Sequence, residues 1–92
     1  ALALRENMPE ALIGLGNVLL QQGDYETAIE TLRRAIEFVP DSREAHYALA
    51  GAFAQSGSIN KACETYDQFL SLDPPAAWGT QAEQAMAALG CD

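Results

Sequence analysis

The chain has 92 residues, of which 49% are hydrophobic and 20% are charged, and its net charge is −8 at neutral pH. This balance is typical of one small globular domain, or of a piece of a larger one, and it excludes a disordered chain. The acidic surplus argues against nucleic acid and against an anionic membrane surface, because both are bound by basic faces. It favours a basic or apolar segment as the partner.

Two further classes of protein are disfavoured by local features. No apolar run reaches the roughly 18 residues of a membrane span, so we expect no membrane insertion. Cys63 and Cys91 form no Cys-x-x-Cys motif, and we therefore expect neither a metal site nor a disulfide. Cys63 is predicted to lie in an apolar helical stripe, and Cys91 in a tail where it is open to oxidation between chains. Unpaired thiols favour a cytoplasmic protein.

The first complete helix is predicted from about Pro9 to Gln22, with Asn7 as its cap. Residues 1–8 are expected to be the tail of a preceding helix or a flexible leader. Within the helix, Gly16 lowers helix propensity, which suggests that a neighbouring backbone approaches closely there. Gly23 supplies the left-handed residue that ends the helix. The apolar stripe of this helix is Leu12, Leu15, Gly16 and Leu19.

Three more helices follow from the same signals. Asp24 is the predicted cap of the second helix, which continues to Pro40. Asp41-Ser42 is expected to cap the third helix, with Glu44 in a capping box with Asp41, and Gly57 ends it. Ser58 begins the fourth helix and Pro74 closes it.

The last segment has two possible starts. One is just after Pro75, and the other is Thr80, whose spacing to Glu83 fits a capping box. The earlier start is favoured because it gives a continuous apolar stripe, and Gly90 ends the helix. The stripe consists of Trp78, Ala82, Ala85, Met86 and Leu89. No strand pattern occurs in the sequence, which predicts an all-α fold.

A repeat relates the first helix pair to the second. Gly23 recurs as Gly57, an offset of 34 residues (57 − 23). A fixed period of this length is the mark of a stacked repeat protein, in which each unit needs neighbours to cover its apolar face. Identical pairs at this offset are Glu10/Glu44, Ala11/Ala45, Leu15/Leu49, Gln21/Gln55, Gly23/Gly57, Ala28/Ala62, Glu30/Glu64, Thr31/Thr65 and Pro40/Pro74.

The repeat resembles the tetratricopeptide repeat (TPR), whose period and pattern it shares. The first copy reads Leu12-x-x-Leu15-Gly16-x-x-Leu19, then Ala28-x-x-x-Leu32, then Pro40; the second reads His46-x-x-Leu49-Ala50-x-x-Phe53, then Ala62-x-x-x-Tyr66, then Pro74. The resemblance implies an α-solenoid of two helix-turn-helix repeats plus a C-terminal capping helix. The expected units are residues 9–42, 43–75 and 76–92.

Two departures from the family pattern stand out. Leu12 and His46 occupy the place of its first aromatic residue, and Phe69 occupies a place where alanine is usual. Phe69 is therefore expected either to push the following helix outward or to fill space left by the helix of Trp78.

The resemblance also implies a groove that binds a peptide or helix of a partner protein, lined by the first helix of each repeat. Tyr47 is the expected aromatic anchor of this groove. Carried over by position, the lining residues are Glu10, Ile13, Gly14, Asn17, Leu20, Gln21, Glu44, Tyr47, Ala48, Gly51, Ala54 and Gln55.

Some members of the family grip the C-terminal carboxylate of chaperones with a cationic clamp. The matching places here are Ile13, Asn17, Ala48, Trp78 and Ala82, of which only Asn17 fits, so this ligand is not expected.

Catalysis is not expected, because the sole histidine, His46, falls on a core stripe without a nucleophile or an acid directed at it. No cofactor is predicted, and the glycines form no phosphate-binding loop. The prediction is a non-catalytic protein-interaction scaffold. The alternative is an assembly module that self-associates, or stacks on further repeats, through its exposed ends.

Overall fold

The computed structural model describes residues 8–91, which form five α-helices: α1 (Met8–Gln22), α2 (Tyr25–Phe38), α3 (Arg43–Ser56), α4 (Ile59–Ser71) and α5 (Ala76–Leu89). No strand occurs among these residues, so the predicted all-α class is confirmed. The expectations for residues 1–7, including the cap at Asn7, lie outside the described part of the chain. The earlier of the two starts considered for the last helix is the one observed.

Two glycines set the turns within the helix pairs, as predicted. Gly23 and Gly57 have φ angles of 83° and 91°, values that L side chains adopt only with strain. At the second turn the Gly57 amide donates to the carbonyl of Ala54, and the Ser58 amide donates to that of Phe53. The first turn has the same pair of hydrogen bonds. This geometry satisfies the last carbonyls of the helix and reverses the chain within two residues, so each helix pair is antiparallel.

The helix starts differ from the predicted caps. Asp24 occupies the cap position of α2, but its side chain makes no capping hydrogen bond. Ser42, and not Asp41, caps α3, and its Oγ accepts from the Ala45 amide at 3.3 Å. The predicted capping box is therefore wrong, because Glu44 is one residue too close to the true cap to reach back to it.

The helix ends also fall earlier than predicted. Helix α2 ends at Phe38 and α4 at Ser71, each before the proline that was expected to close it. Proline disfavours helical geometry in the residue before it, and Val39, before Pro40, is accordingly non-helical with φ −134° and ψ 87°. Helix α4 ends three residues before Pro74, and Asp73 between them has a positive φ of 56°.

The main core lies between the two repeats. Leu32, Ala35 and Ala62 are fully buried in it, and Phe53 is almost so. Gly16 faces this core: a Cβ there would come within 2.7 Å of the Leu32 side chain. The expectation of a close backbone neighbour at Gly16 is therefore wrong, since a side chain fills the space.

A second, smaller core joins α5 to the second repeat. Phe69 is fully buried there, with Ala50, Tyr66 and Ala82 around it. Of the two outcomes considered for Phe69, the structure has the second: its ring lies parallel to that of Trp78, 6.2 Å away, and fills the space beneath α5.

The expectation of two unpaired cysteines is wrong. Cys63, near the start of α4, forms a disulfide with Cys91, just after the end of α5, and their Cα atoms are 5.8 Å apart. Packing α5 back along α4 brings the beginning of one helix beside the end of the other. A cytoplasmic location was inferred from unpaired thiols, and the disulfide removes the basis of that inference.

Candidate functional site

One groove runs across the first helix of each repeat and onto α5, with a volume of about 470 Å³. Helix α1 forms one wall, from apolar side chains and the amide of Asn17. Helix α3 forms the floor, which includes the small residues Ala48 and Gly51, and α5 forms one end. This surface is called the groove below, and its lining residues are Ile13, Asn17, Leu20, Glu44, Tyr47, Ala48, Gly51, Gln55, Trp78 and Gln81.

Eight of the twelve residues predicted for the groove line it, and four do not. Those outside it are Glu10, Gly14, Gln21 and Ala54. Two residues of the groove were absent from the predicted lining: Gln81, and Trp78, which was named only as a place matched to the carboxylate clamp. They lie 34 residues after Glu44 and Tyr47, so extending the repeat period into the last helix would have found them.

The floor of the groove lies close to the α3 backbone where its residues, Ala48 and Gly51, are small. A Cβ added at Gly51 would meet nothing within 4 Å, and Ala48 beside it is only half-buried. Backbone is therefore within reach of a ligand along this stretch of α3, which suits a segment that lies lengthwise against the helix.

Tyr47 closes the end of the groove nearest α5. Its ring makes edge-to-face contacts with three others: Phe69 at 5.2 Å, Trp78 at 5.8 Å and Tyr66 at 6.0 Å between centroids. Its hydroxyl donates a hydrogen bond to Gln81 Oε1 at 3.1 Å. Tyr47 thus holds α5 in place as well as lining the groove, so its truncation would disturb both.

The inner part of this aromatic cluster is poorly solvated. Burial raises the pKa of the Tyr66 hydroxyl above its ordinary value of 10.0, with a further contribution from the neighbouring Tyr47 phenol. Tyr66 therefore stays neutral through the physiological range, and it belongs to the support beneath the groove.

Besides the Tyr47 hydroxyl and the Trp78 indole, the polar groups of the groove are three carboxamides and one carboxylate. Asn17, Gln55 and Gln81 supply the amides, and Glu44 is the one charged side chain among the described lining residues. No Lys or Arg is among the lining residues in the described part of the chain, and Ala82, one of the places matched to the carboxylate clamp, is fully buried.

His46 has a structural position. It is 7% exposed, and its Nδ1–H donates to the Ser42 carbonyl one turn earlier, at 2.8 Å. Within residues 8–91 no cluster of three or more His, Cys, Asp and Glu side chains is arranged to hold a metal ion.

Known families match this architecture. A family model described as TPR repeat matches residues 16–57, and one described as tetratricopeptide repeat matches residues 44–75. The chain belongs to the tetratricopeptide repeat family. TPR repeats form helical scaffolds that are generally non-catalytic and serve protein–protein interaction, and the repeats of this chain support an interaction role.

Relatives with the same repeats occur in unrelated settings. The chain is 37% identical over 62 residues to BBSome complex member BBS4 of Bos taurus, covering 67% of this chain and 12% of that protein. It is 39% identical over 69 residues to Type IV pilus assembly protein PilF of Pseudomonas aeruginosa, covering 75% and 27% respectively. Protein O-mannosyl-transferase Tmtc2 of Drosophila melanogaster is 44% identical over 45 residues, which cover 49% of this chain and 5% of the transferase. The chain thus spans about a quarter or less of each relative.

None of the helices in the described part of the chain is both long enough and apolar enough to cross a membrane.

Proposed function

We propose that the groove binds a peptide or a short helix of a partner protein. The observation that supports this most directly is that α1, α3 and α5, which occupy equivalent positions in the repeat, together form one open surface. Eight of the residues on this surface are those that the family pattern predicts. Half-buried apolar side chains along such a surface favour an occupant that covers them. Two of the similar proteins are named for a complex or an assembly, which agrees with a role in holding proteins together.

A matched pair of glycines tests the groove without disturbing the core. Gly51 and Gly14 both lie inside helices, and a Cβ at either would meet nothing within 4 Å, but only Gly51 lines the groove. Gly51→Leu should therefore fill the groove, whereas Gly14→Leu should leave it open. Both variants should fold, because leucine has the higher helix propensity.

The experiment begins with a peptide selected on the wild-type protein from a random peptide library. Its dissociation constant is then measured with both variants, and their helicity and thermal unfolding are compared by circular dichroism. We expect Gly51→Leu to weaken binding at least about tenfold, the equivalent of about 1.4 kcal/mol, and Gly14→Leu to leave it unchanged. Equal binding by the two variants would show that the peptide docks elsewhere.

The N-terminal end of the module favours a second function, assembly with a further repeat or with another copy. Leu15 and Val18 of α1 are 50% and 47% exposed, and Phe38 at the end of α2 is 56% exposed. Exposed apolar side chains on the end of a solenoid are the surface on which a neighbouring repeat stacks.

Light scattering over a concentration series tests self-assembly. If the end pairs with a second copy, the wild-type mass should rise with concentration, and Leu15→Glu should keep the protein monomeric. A wild-type chain that stays monomeric at the highest concentration would remove self-association and leave stacking on a further repeat.

A further inference from the structure

Four residues of the groove come in two pairs, one pair on each of two helices. Glu44 and Tyr47 are three residues apart on α3, and Trp78 and Gln81 are three residues apart on α5. Residues with this spacing share a helix face, so each helix directs its pair toward the same space. All four line the groove. This set is called the aromatic corner below.

The two rings of the aromatic corner stand as perpendicular walls. The Tyr47 and Trp78 planes make an angle of 82°, with centroids 5.8 Å apart. The hydrogen bond from the Tyr47 hydroxyl to Gln81 fixes one wall, and stacking of Trp78 on Phe69 supports the other. Trp78 nevertheless remains 36% exposed. Aromatic faces held this way, with open surface beside them, attract a cation through the negative potential above the rings.

The charge of the aromatic corner is negative, which suits a cationic ligand. Glu44 is exposed and is the one charged residue among the described groove residues. Arg43, the cation nearest to Glu44 in sequence, is engaged elsewhere, because its Nε donates to the Leu72 carbonyl at 2.9 Å. Arg33 and Lys61 lie over the Phe53 ring, and Arg34 lines a separate cavity. With a net charge of −8 the chain also draws cationic segments toward itself.

We propose that the aromatic corner of Glu44, Tyr47, Trp78 and Gln81 binds an arginine or lysine side chain of the partner's peptide segment. The carboxylate of Glu44 neutralises the cation, and the rings of Tyr47 and Trp78 cover its apolar stem. Small side chains of the same segment then lie over Ala48 and Gly51. This inference rests on the proposed function of the groove, and it adds the residue type that the groove selects.

The test uses blocked pentaalanine peptides whose central residue is arginine, citrulline or glutamate. Citrulline has nearly the shape of arginine without its charge. Trp78 is the one tryptophan of the chain, so its fluorescence reports binding at the aromatic corner. The matched variants are Glu44→Gln and Glu10→Gln. Both make the same change of charge at equivalent repeat positions, and only Glu44 lines the groove.

We expect the arginine peptide to bind roughly three- to tenfold more tightly than the citrulline peptide, the range of a partly exposed ion pair with a cation–π contact. The glutamate peptide should bind most weakly. Glu44→Gln should remove most of the arginine preference, Glu10→Gln should keep it, and added salt should reduce it in the wild type.

The outcomes separate this inference from the function on which it rests. Equal binding of the arginine and citrulline peptides, both blocked by Gly51→Leu, would overturn the cation site and support the groove. An arginine preference that survives Gly51→Leu and is lost in Glu44→Gln would support the cation site. It would also show that the rest of the peptide does not lie along the groove. Equal effects of Glu44→Gln and Glu10→Gln, or no response of Trp78 to any of the peptides, would overturn the inference.

Discussion

Leu15 and Leu49 are the same residue at the same position of two repeats, yet Leu15 is 50% exposed and Leu49 is 6% exposed. Leu49 belongs to the core that includes Leu32 and Ala35 of α2, the second helix of the preceding repeat. No helix of a preceding repeat lies among the described residues to cover Leu15 in this way. Burial in this array is therefore a property of the neighbour as much as of the residue.

The other end of the molecule shows what covering a repeat requires. Helix α5 begins 33 residues after α3 (76 − 43) and takes the place of the first helix of a third repeat. It buries Ala82 against Phe69 and is joined to α4 by the Cys63–Cys91 disulfide. The end of the second repeat that α5 covers is called the closed end below, and the N-terminal end of the described residues presents apolar side chains.

The largest change in the free energy of unfolding is expected at Leu49, the leucine that α2 covers. Leu49→Ala should lower the free energy of unfolding by about 2–5 kcal/mol, because it leaves a cavity between α2 and α3. Urea unfolding followed by circular dichroism measures the change. A loss below about 1 kcal/mol would mean that the interface between the repeats is loosely packed.

The next effect is at the covalent link of the closed end. Replacing both cysteines, Cys63→Ser with Cys91→Ser, should cost about 3 kcal/mol, because a cross-link over a 28-residue separation restricts the unfolded chain. Hydrogen exchange should show α5 losing more protection than α1. Reduction of the wild type should reproduce the result, and unchanged protection of α5 would show that its aromatic contacts hold it unaided.

The smallest effect is at the uncovered leucine. Leu15→Ala should change the free energy of unfolding by less than about 1 kcal/mol, since half of the side chain is in water already in the folded monomer. The same urea titration compares it with Leu49→Ala. A loss as large as that of Leu49→Ala would show that Leu15 is covered in solution, by another copy or by the residues that precede α1.

Much of this arrangement follows from the sequence because it depends on local signals. Glycines at the two turns, the repeat of small residues such as Ala28 and Ala62, and the apolar stripes predict the helices and their pairing. The family pattern then predicts most of the groove. The same reasoning placed Leu15 on an apolar stripe, and its exposure shows that a periodic stripe identifies an apolar face without saying what covers it.

The features that were missed depend on contacts between distant segments. The disulfide joins residues 28 apart that carry no motif, and it follows only from the antiparallel packing of α5 on α4. The double role of Tyr47 depends on rings from α4 and α5. Asp41 and Ser42 are neighbours and both can cap a helix, so the sequence does not decide which of them does. The two choices differ by one residue in where α3 begins.

The central claim is that the groove, and not the open N-terminal end, is where a partner peptide binds. The most direct measurement is an NMR titration of the labelled protein with the library-selected peptide, with the shift changes mapped onto the helices. We expect the largest changes at Asn17, Tyr47, Gly51 and Gln81, with little change at Val18 and Phe38. Changes concentrated at Leu15, Val18 and Phe38, with the groove silent, would contradict the claim and assign binding to the exposed end.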